Sequence, residues 1–382
     1  MPAASHLLIP YALSPAPGAC RTLGVESENA PRRGQFLPDS PPHSGAMGQE
    51  AGKKWAAAAH SQPTIPKSDR LPGCTQVLPT LDLPMLRALL QRLAPGPSIT
   101  AAPQSLSMPH ERALAQALGL PSADGRIPWA AWRRVEQGHA PDAQAWAFVS
   151  PCLWRIGADH VTLSDPAALG LDEAASRALL DILAPWFAED GITLHYEQPT
   201  RWLAQGALFA DLATATFERV IGRDVRHWLP PLASADAARR LQRLHSEVQM
   251  LLYTHPFNAA REAQGLPAVN AFWVHGAGAL PADWQTPRAN PATTPSATVT
   301  VAEDLRAPAL REDWPAWTAA WQRLDAGPLA ALHAQLQRGA AVQLTLSGEN
   351  GALHFGPAQR NLLQRLQSVF RPLRLSDLHN AL

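Results

Sequence analysis

The sequence predicts an α/β protein, a mixed sheet with flanking helices, and three observations carry that expectation. Stretches with apolar residues three and four apart alternate along the chain with short stretches in which apolar and polar residues take turns, the periods of helix and strand. Hydrophobic residues make up 46% of the 382, enough for one large or two ordinary cores. No stretch reaches the roughly 20 apolar residues of a membrane-spanning helix, so this apolar content is expected to fill a soluble core.

The first element is the apolar run His6 to Leu13, short, broken by Pro10 and without the basic opening of a secretory leader. It predicts a buried strand within a first segment, 1–13. Residues 14–76 are rich in Pro, Gly, Ser and Ala with little periodicity, and are expected to form a flexible insertion, with an ordered irregular loop as the alternative. Then Leu83, Leu86, Leu89, Leu90 and Leu93 share one helical face, with Pro84 in the first turn and Pro95 closing the helix. A second helix follows, with Ser107 as its cap, Pro109 in the first turn, Leu114 and Leu118 stacked four apart, and Gly119 as a left-handed stop.

Residues 145–154 read as a buried strand, with 160–164 able to pair beside it. Asp172 opens a helix whose inner face holds Leu179, Leu180, Leu183, Trp186 and Phe187, its last turn bent at Pro185. Ile192, Leu194 and Tyr196 alternate with Thr193, His195 and Glu197 as a half-buried strand. Between 234 and 253, Leu241, Leu244, Val248, Leu251 and Leu252 fall at helical spacing; Arg239, Arg240, Arg243 and Glu247 on the outer face read as solvated surface. A strand after Asn270 ends in His275-Gly276-Ala277-Gly278. Beyond it, Trp314, Trp317, Trp321 and Leu324 make a helical core stripe, Val342, Leu344 and Leu346 a strand, Glu349-Asn350-Gly351 a turn toward Leu353, His354 and Phe355, and Leu362 to Phe370 a terminal helix. The expected organisation is therefore a first strand (1–13), an insertion (14–76), an α/β region (77–285), a linker (286–300) and a small C-terminal α/β unit (301–382).

Charge and cysteine usage narrow the function. Thirty-two Lys and Arg balance thirty-two Asp and Glu, so no net field draws the chain to nucleic acid or an anionic membrane, and neither is expected as a partner. Cys20, Cys74 and Cys152 are odd in number and far apart, with no Cys-x-x-Cys pair, which points to a reducing, cytoplasmic setting. Gly276-Ala277-Gly278 lacks the third glycine of a dinucleotide fingerprint, and no Gly-x-x-x-x-Gly-Lys run exists. None of the fourteen histidines forms a His-x-x-x-His pair, and Asp159-His160, adjacent in a strand, would point to opposite faces. No metal site and no cofactor are predicted.

The segment from Leu252 to Gly278 gathers anion-binding chemistry. Arg261 offers a planar fork for phosphate or carboxylate, His255, Asn258 and His275 offer single hydrogen bonds, and Gly276 and Gly278 would let backbone N–H groups come close. The same residues admit a structural account, with His255 and Asn258 capping a helix and Arg261 pairing with a surface acid. Both stay open at this point.

His255, Pro256, Asn258, Arg261, Gly265, Asn270, Gly276 and Gly278 resemble the pattern of the archaeal-type cofactor-independent phosphoglycerate mutases, His-Pro-Val-Asn, Arg, Gly, Ala-Asn and Arg-Gly-Ala-Gly. The resemblance extends more faintly through Phe217 to Asp224 and Arg201-Trp202-Leu203 back to Ala147-Phe148 and 107–121, covering about residues 80–285. Over nearly the whole chain the sequence is similar to RpfE-type regulatory proteins, a bacterial group itself similar to those mutases. The resemblance implies the fold of the mutase substrate domain. It also implies a chemistry in which two metal ions on Asp and His ligands neutralise phosphoryl charge and activate a serine.

This chain departs from that pattern where the metals would sit. Ile9-Pro10-Tyr11-Ala12 stands where an Asp-Gly pair is expected, the last hundred residues hold no Asp-x-x-x-His-x-x-Asp, and Ser107, near the nucleophile's place, lacks the following Asp. His275 and Val149 replace arginines of the pattern. The resemblance therefore implies a degenerate metal portion and a regulatory protein that binds a small phosphorylated or carboxylated metabolite. Arg201, His255, Asn258, Arg261, His275, Gly276 and Gly278 are then expected to converge on one cleft. Two alternatives remain: an active mutase or phosphatase holding Mn²⁺ or Zn²⁺ on ligands drawn from Asp159, His160, Asp165, His354 and His379, and a structural protein that binds an unidentified protein partner and no ligand.

Overall fold

The computed structural model describes residues 5–12, 81–230, 236–285 and 298–357. The expected insertion, most of the linker and the terminal helix lie outside the described residues. In chain order, β1 (Ser5–Ile9) precedes α1 (Pro84–Arg92), β2 (Leu93–Thr100), α2 (Pro109–Ala117) and α3 (Trp129–Glu136). Next come β3 (Ala145–Cys152), β4 (Trp154–Ile156), β5 (Val161–Leu163), α4 (Glu173–Glu189), β6 (Thr193–Gln198), β7 (Arg201–Gln205) and a single turn, α5 (Phe217–Val220). Then follow α6 (Asp236–Thr254), α7 (Pro256–Ala263), β8 (Ala271–Ala279), β9 (Thr298–Val301), α8 (Arg306–Leu310), α9 (Trp314–Leu324), α10 (Ala330–Gln337), β10 (Val342–Ser347) and β11 (Gly351–Pro357).

The first sheet has the order β2-β11-β10-β1-β9 and is mixed. β1 runs parallel to both β10 and β9, while β11 is antiparallel to β10 and β2. β1 is apolar on both faces: Leu7 and Ile9 join the core formed by α1 and the tryptophan stripe of α9, and Leu8 packs with Ala113 and Ala352 on the other side. A strand buried this way must satisfy its N–H and C=O groups along both edges. The chain meets that need with β9 and β10, so the stretch expected as a small C-terminal unit shares its sheet with β1. β2 is an addition to the sequence reading. Pro95 was expected only to close the preceding helix, but α1 ends at Arg92 and passes directly into an edge strand, where a proline costs little of the ladder.

The second sheet, β6-β7-β3-β8, is antiparallel throughout, with β3 buried along its whole length. One face carries Ala147, Val149, Trp202, Phe272 and Val274 against α4 and α6; the other carries Trp146, Phe148 and Leu203 against α3, and Trp273 against Val220, Val225 and Trp228. The expected strand 145–154 breaks at Leu153. The Asn270 side chain takes both backbone groups of Trp154, accepting from its N–H at 2.7 Å and donating to its C=O at 2.9 Å, which turns β4 out to pair with β5 instead of letting 160–164 extend β3. Asp172 caps α4 as expected, its carboxylate accepting from the Ala175 N–H at 2.8 Å, and the helix continues through Pro185 to Glu189.

Candidate functional site

Parallel strands present their carboxyl ends on one edge, and in open α/β sheets ligands bind outside that edge. Polar residues follow all three strands there: Tyr11 after β1, Glu303 and Arg306 after β9, and Glu349 after β10. The α5 segment adds Glu218, Arg219 and Arg223, and the first turn of α2 adds His110 and Glu111. Tyr11 has φ 55°, a left-handed conformation that costs a bulky side chain energy, and both its ends are pinned. Its carbonyl accepts from Trp317 Nε1 at 3.0 Å, and its hydroxyl donates to Glu218 Oε2.

Glu218 is the hub. It is 7% exposed, its Oε1 is paired with Arg306 Nη2, and His110 Nε2 lies 3.3 Å from its Oε2. Burial alone would push this carboxyl up, but His110, Arg306 and the Tyr11 hydroxyl outweigh it and hold the group below the ordinary range. Glu111 goes the other way, pushed up to about 8 by burial and by the neighbouring Glu218 charge, while its Oε2 accepts from the Met108 N–H at 2.9 Å to cap α2. Burial, with Arg306 and Arg219, pushes His110 down to about 4 against the pull of Glu218. The shifts of Glu218 and Glu111 thus run in opposite directions, an arrangement typical of working sites.

A second ion cluster adjoins the first. Arg219, 1% exposed, donates from Nη2 to the Glu349 carbonyl at 3.2 Å, and its Nη1 lies 3.8 Å from Glu349 Oε1. Arg223 Nη2 donates to the same Oε1. Three guanidinium groups thus gather at one sheet edge, and their chemistry is anion recognition.

This donor set does not fit a metal pair. The cations would repel one, and His110 and Glu218 face each other. Among the described residues no group of three or more His, Cys, Asp or Glu is placed to hold a metal ion. Of the ligands considered for the enzyme alternative, Asp159 and His160 pair with each other at 2.7 Å, Asp165 accepts from the Ala167 N–H, and His354 bonds Thr345 Oγ1 on the first sheet; His379 lies outside the described residues. Ser107 is buried in loop contacts, its Oγ accepting from the Gly125 N–H at 2.8 Å, and the cap position of α2 is Met108.

The seven residues expected in one cleft are divided by the second sheet. His255 caps α7, its Nδ1 accepting from the Phe257 N–H at 3.1 Å. Asn258 donates to the carbonyls of Leu252 and Val269 and accepts from the Val269 N–H, while Arg261 donates to the carbonyls of Pro267 and Leu169. Leu169, Leu252 and Val269 belong to the core under α4 and α6, the face that Val274 also occupies. His275, the next residue along β8, points the other way, 5.2 Å from the Phe148 ring and 3.1 Å from Ser150 Oγ. Strand alternation thus overturns the single cleft. The structural account holds for His255 and Asn258, and Arg261 binds carbonyls instead of a surface acid.

Gly276 and Gly278 serve packing. A Cβ on Gly276 would stand 3.0 Å from Trp129 Cβ, and one on Gly278 3.0 Å from Pro128 Cβ, so both glycines let the start of α3 lie against β8. Arg201 pairs with Glu197 and stacks 4.6 Å over Phe148. Burial, then the charges of Arg201 and Arg306, push His275 down to about 3. Arg201 and His275 therefore border the Glu218 cluster, and the other five do not take part in it. The hub residues Tyr11, His110, Glu218, Arg219 and Arg306 come from distant segments; the one local signal was a charged pair, Glu218-Arg219, inside the apolar run Phe217 to Ile221.

No family model matches the chain, and no curated protein matches it. Among solved structures it is similar to the cofactor-independent phosphoglycerate mutase from Thermoplasma acidophilum DSM 1728, at 13% identity over 92% of this chain and 89% of that one, with a TM-score of 0.32. It is also similar to a Pyrococcus horikoshii protein, at 11% identity over 93% of this chain and 88% of that one, with a TM-score of 0.41. The strand pairings described above make the chain a mixed α/β protein.

Proposed function

We propose that the protein is a catalytically degenerate, phosphoglycerate-mutase-like protein that binds a small phosphorylated or carboxylated metabolite in a regulatory role, at the carboxyl ends of β9, β1 and β10. The observation that supports this is the convergence of Arg219, Arg223 and Arg306 on that edge, with Glu218 and Glu349 as their counter-charges. Guanidinium groups bind and orient an anion but do not lower the pKa of a nucleophile as a metal does, so the site favours recognition over phosphoryl transfer. The regulatory part of this reading, and its closeness to the bacterial regulatory group, rest on the sequence resemblance, and the cytoplasmic part rests on the cysteine usage. No helix among the described residues is long and apolar enough to cross a membrane.

The test is calorimetric titration with inorganic phosphate, 3-phosphoglycerate and glycerate at matched ionic strength, beside an assay of 2- and 3-phosphoglycerate interconversion with added Mn²⁺. The phosphorylated acid should bind without turnover, and Arg306→Ala should weaken binding about tenfold to a hundredfold, the worth of one charge-assisted contact. Turnover that survives repurification and disappears with EDTA would sink the degenerate reading. Absence of binding by every anion would sink the metabolite site.

A further inference from the structure

Glu349 and Glu218 are both carboxylates among arginines, yet they are held differently. Glu218 has three partners from three segments and is buried on all sides. Glu349 stands on the turn between β10 and β11, a turn fixed by its own backbone: Gly348 N–H donates to the Gly351 carbonyl at 2.9 Å, and Ala101 N–H donates to the Asn350 carbonyl at 2.8 Å. Its carbonyl, held in that turn, accepts from Arg219 Nη2 at 3.2 Å, while its carboxylate reaches Arg219 and Arg223 through rotatable bonds that can swing without moving the turn.

The pairing is also unbalanced. Two guanidinium groups share one carboxylate oxygen, Oε1, which leaves a net positive charge. Arg219 Nε is buried with no hydrogen-bond partner among the described residues, a costly state for a charged donor. The side chains run from 1% exposed at Arg219 to 14% at Glu349 and 24% at Arg223, so the carboxylate sits between a buried guanidinium and one that opens to solvent.

Resting on the anion-binding reading above, we infer that Glu349 is a built-in anion occupying the Arg219–Arg223 pair, and that the ligand it stands in for is a phosphate-type dianion. A phosphoryl group brings a second negative charge and three oxygens, enough to meet Arg219 Nε and Nη1 and Arg223 together. Binding then means exchange: the Glu349 side chain rotates out to solvent as the phosphoryl group enters. The free protein is thereby kept closed to monoanions, which cannot outcompete a tethered carboxylate.

The experiment is titration of the full chain with inorganic phosphate, and with acetate at equal ionic strength, in wild type and Glu349→Gln. Glu349→Gln should bind phosphate about tenfold more tightly, the competitor's charge having been removed, and should gain measurable acetate binding. Phosphate should raise its melting temperature more than that of wild type. Should Glu349→Gln fail to fold, Glu349→Asp, one methylene shorter, should shift affinity in the same direction by a smaller factor. Equal phosphate affinity in wild type and variant would overturn the exchange while leaving the anion site standing. Absence of phosphate binding by both would remove the anion site itself.

Discussion

Arg261→Ala should destabilise the fold and leave anion binding alone. Arg261 is 4% exposed and stands on the side of β8 away from the arginine cluster. Its Nε donates to the Pro267 carbonyl at 2.9 Å and its Nη2 to the Leu169 carbonyl, tying α7 to the loop before β8 and to the turn before α4. Each charge-assisted bond contributes about 1.5–3 kcal/mol, a gross 3–6 kcal/mol for the pair. Burial of the guanidinium, which lowers its pKa, offsets part of this, so a net loss of about 3 kcal/mol is expected. Urea unfolding followed by far-UV circular dichroism reads it as a lower midpoint at unchanged slope. Arg261→Lys should recover little, since an ammonium cannot span two carbonyls that a planar fork reaches together. A loss below about 0.5 kcal/mol, or an unchanged midpoint with weakened phosphate binding, would refute the clamp and return Arg261 to a ligand site.

Gly276→Ala should cost roughly 2–4 kcal/mol, because the new methyl meets Trp129 and Phe148 and the residue sits at φ 62°; equilibrium unfolding checks it. Four buried histidines, His6, His110 and His245 held near 4 and His275 near 3 chiefly by burial, stay neutral in the fold but take up protons in the unfolded chain near 6.5. Their part of the stability is complete above pH 6.5 and falls as pH drops toward 4. His245→Gln should reduce that slope by about one proton, or roughly 1.4 kcal/mol per pH unit. Glu218 adds to this in the same direction at lower pH: its share is present above its unfolded value of 4.5 and is lost as pH falls through the lower folded value. Glu218→Gln should remove that limb and, by leaving Arg306 with Glu303 alone, lower stability at pH 7, both read from unfolding curves across pH.

Local physics made much of the fold legible. Apolar periodicity and caps located α4 from Asp172 and α6 within two residues, and Glu349-Asn350-Gly351 marked the β10–β11 hairpin. What stayed hidden depends on partners far away in sequence. β2 looks like a loop because its strand character comes from pairing with β11, and α3 is short and leans on two glycines of β8. For the site, the spacing of His255, Asn258 and Arg261 read equally as ligand recognition or as local clamping. The strand parity of His275 decided between them, and parity relative to a core is visible only once the core is known. Tyr11 and Arg306 belong to segments almost three hundred residues apart, and no short-range pattern joins them.

The position of β1 also governs when this protein can finish folding. His6 bonds to Thr345 across 339 positions of sequence, and both neighbours of β1 come from the later described strands, β9 and β10. At about 5–20 residues per second of synthesis, the ribosome needs roughly 15–70 seconds to deliver those partners after β1 has formed. Throughout that interval the apolar residues Leu7, Leu8 and Ile9 lack both of the strands they pair with. Loop closure over such a span must precede any reward from pairing, so the second sheet, whose strands all lie between 145 and 279, is free to assemble first. The arginine cluster then comes into being last, because three of its sources, β9, β1 and β10, meet only when the two ends of the described chain do.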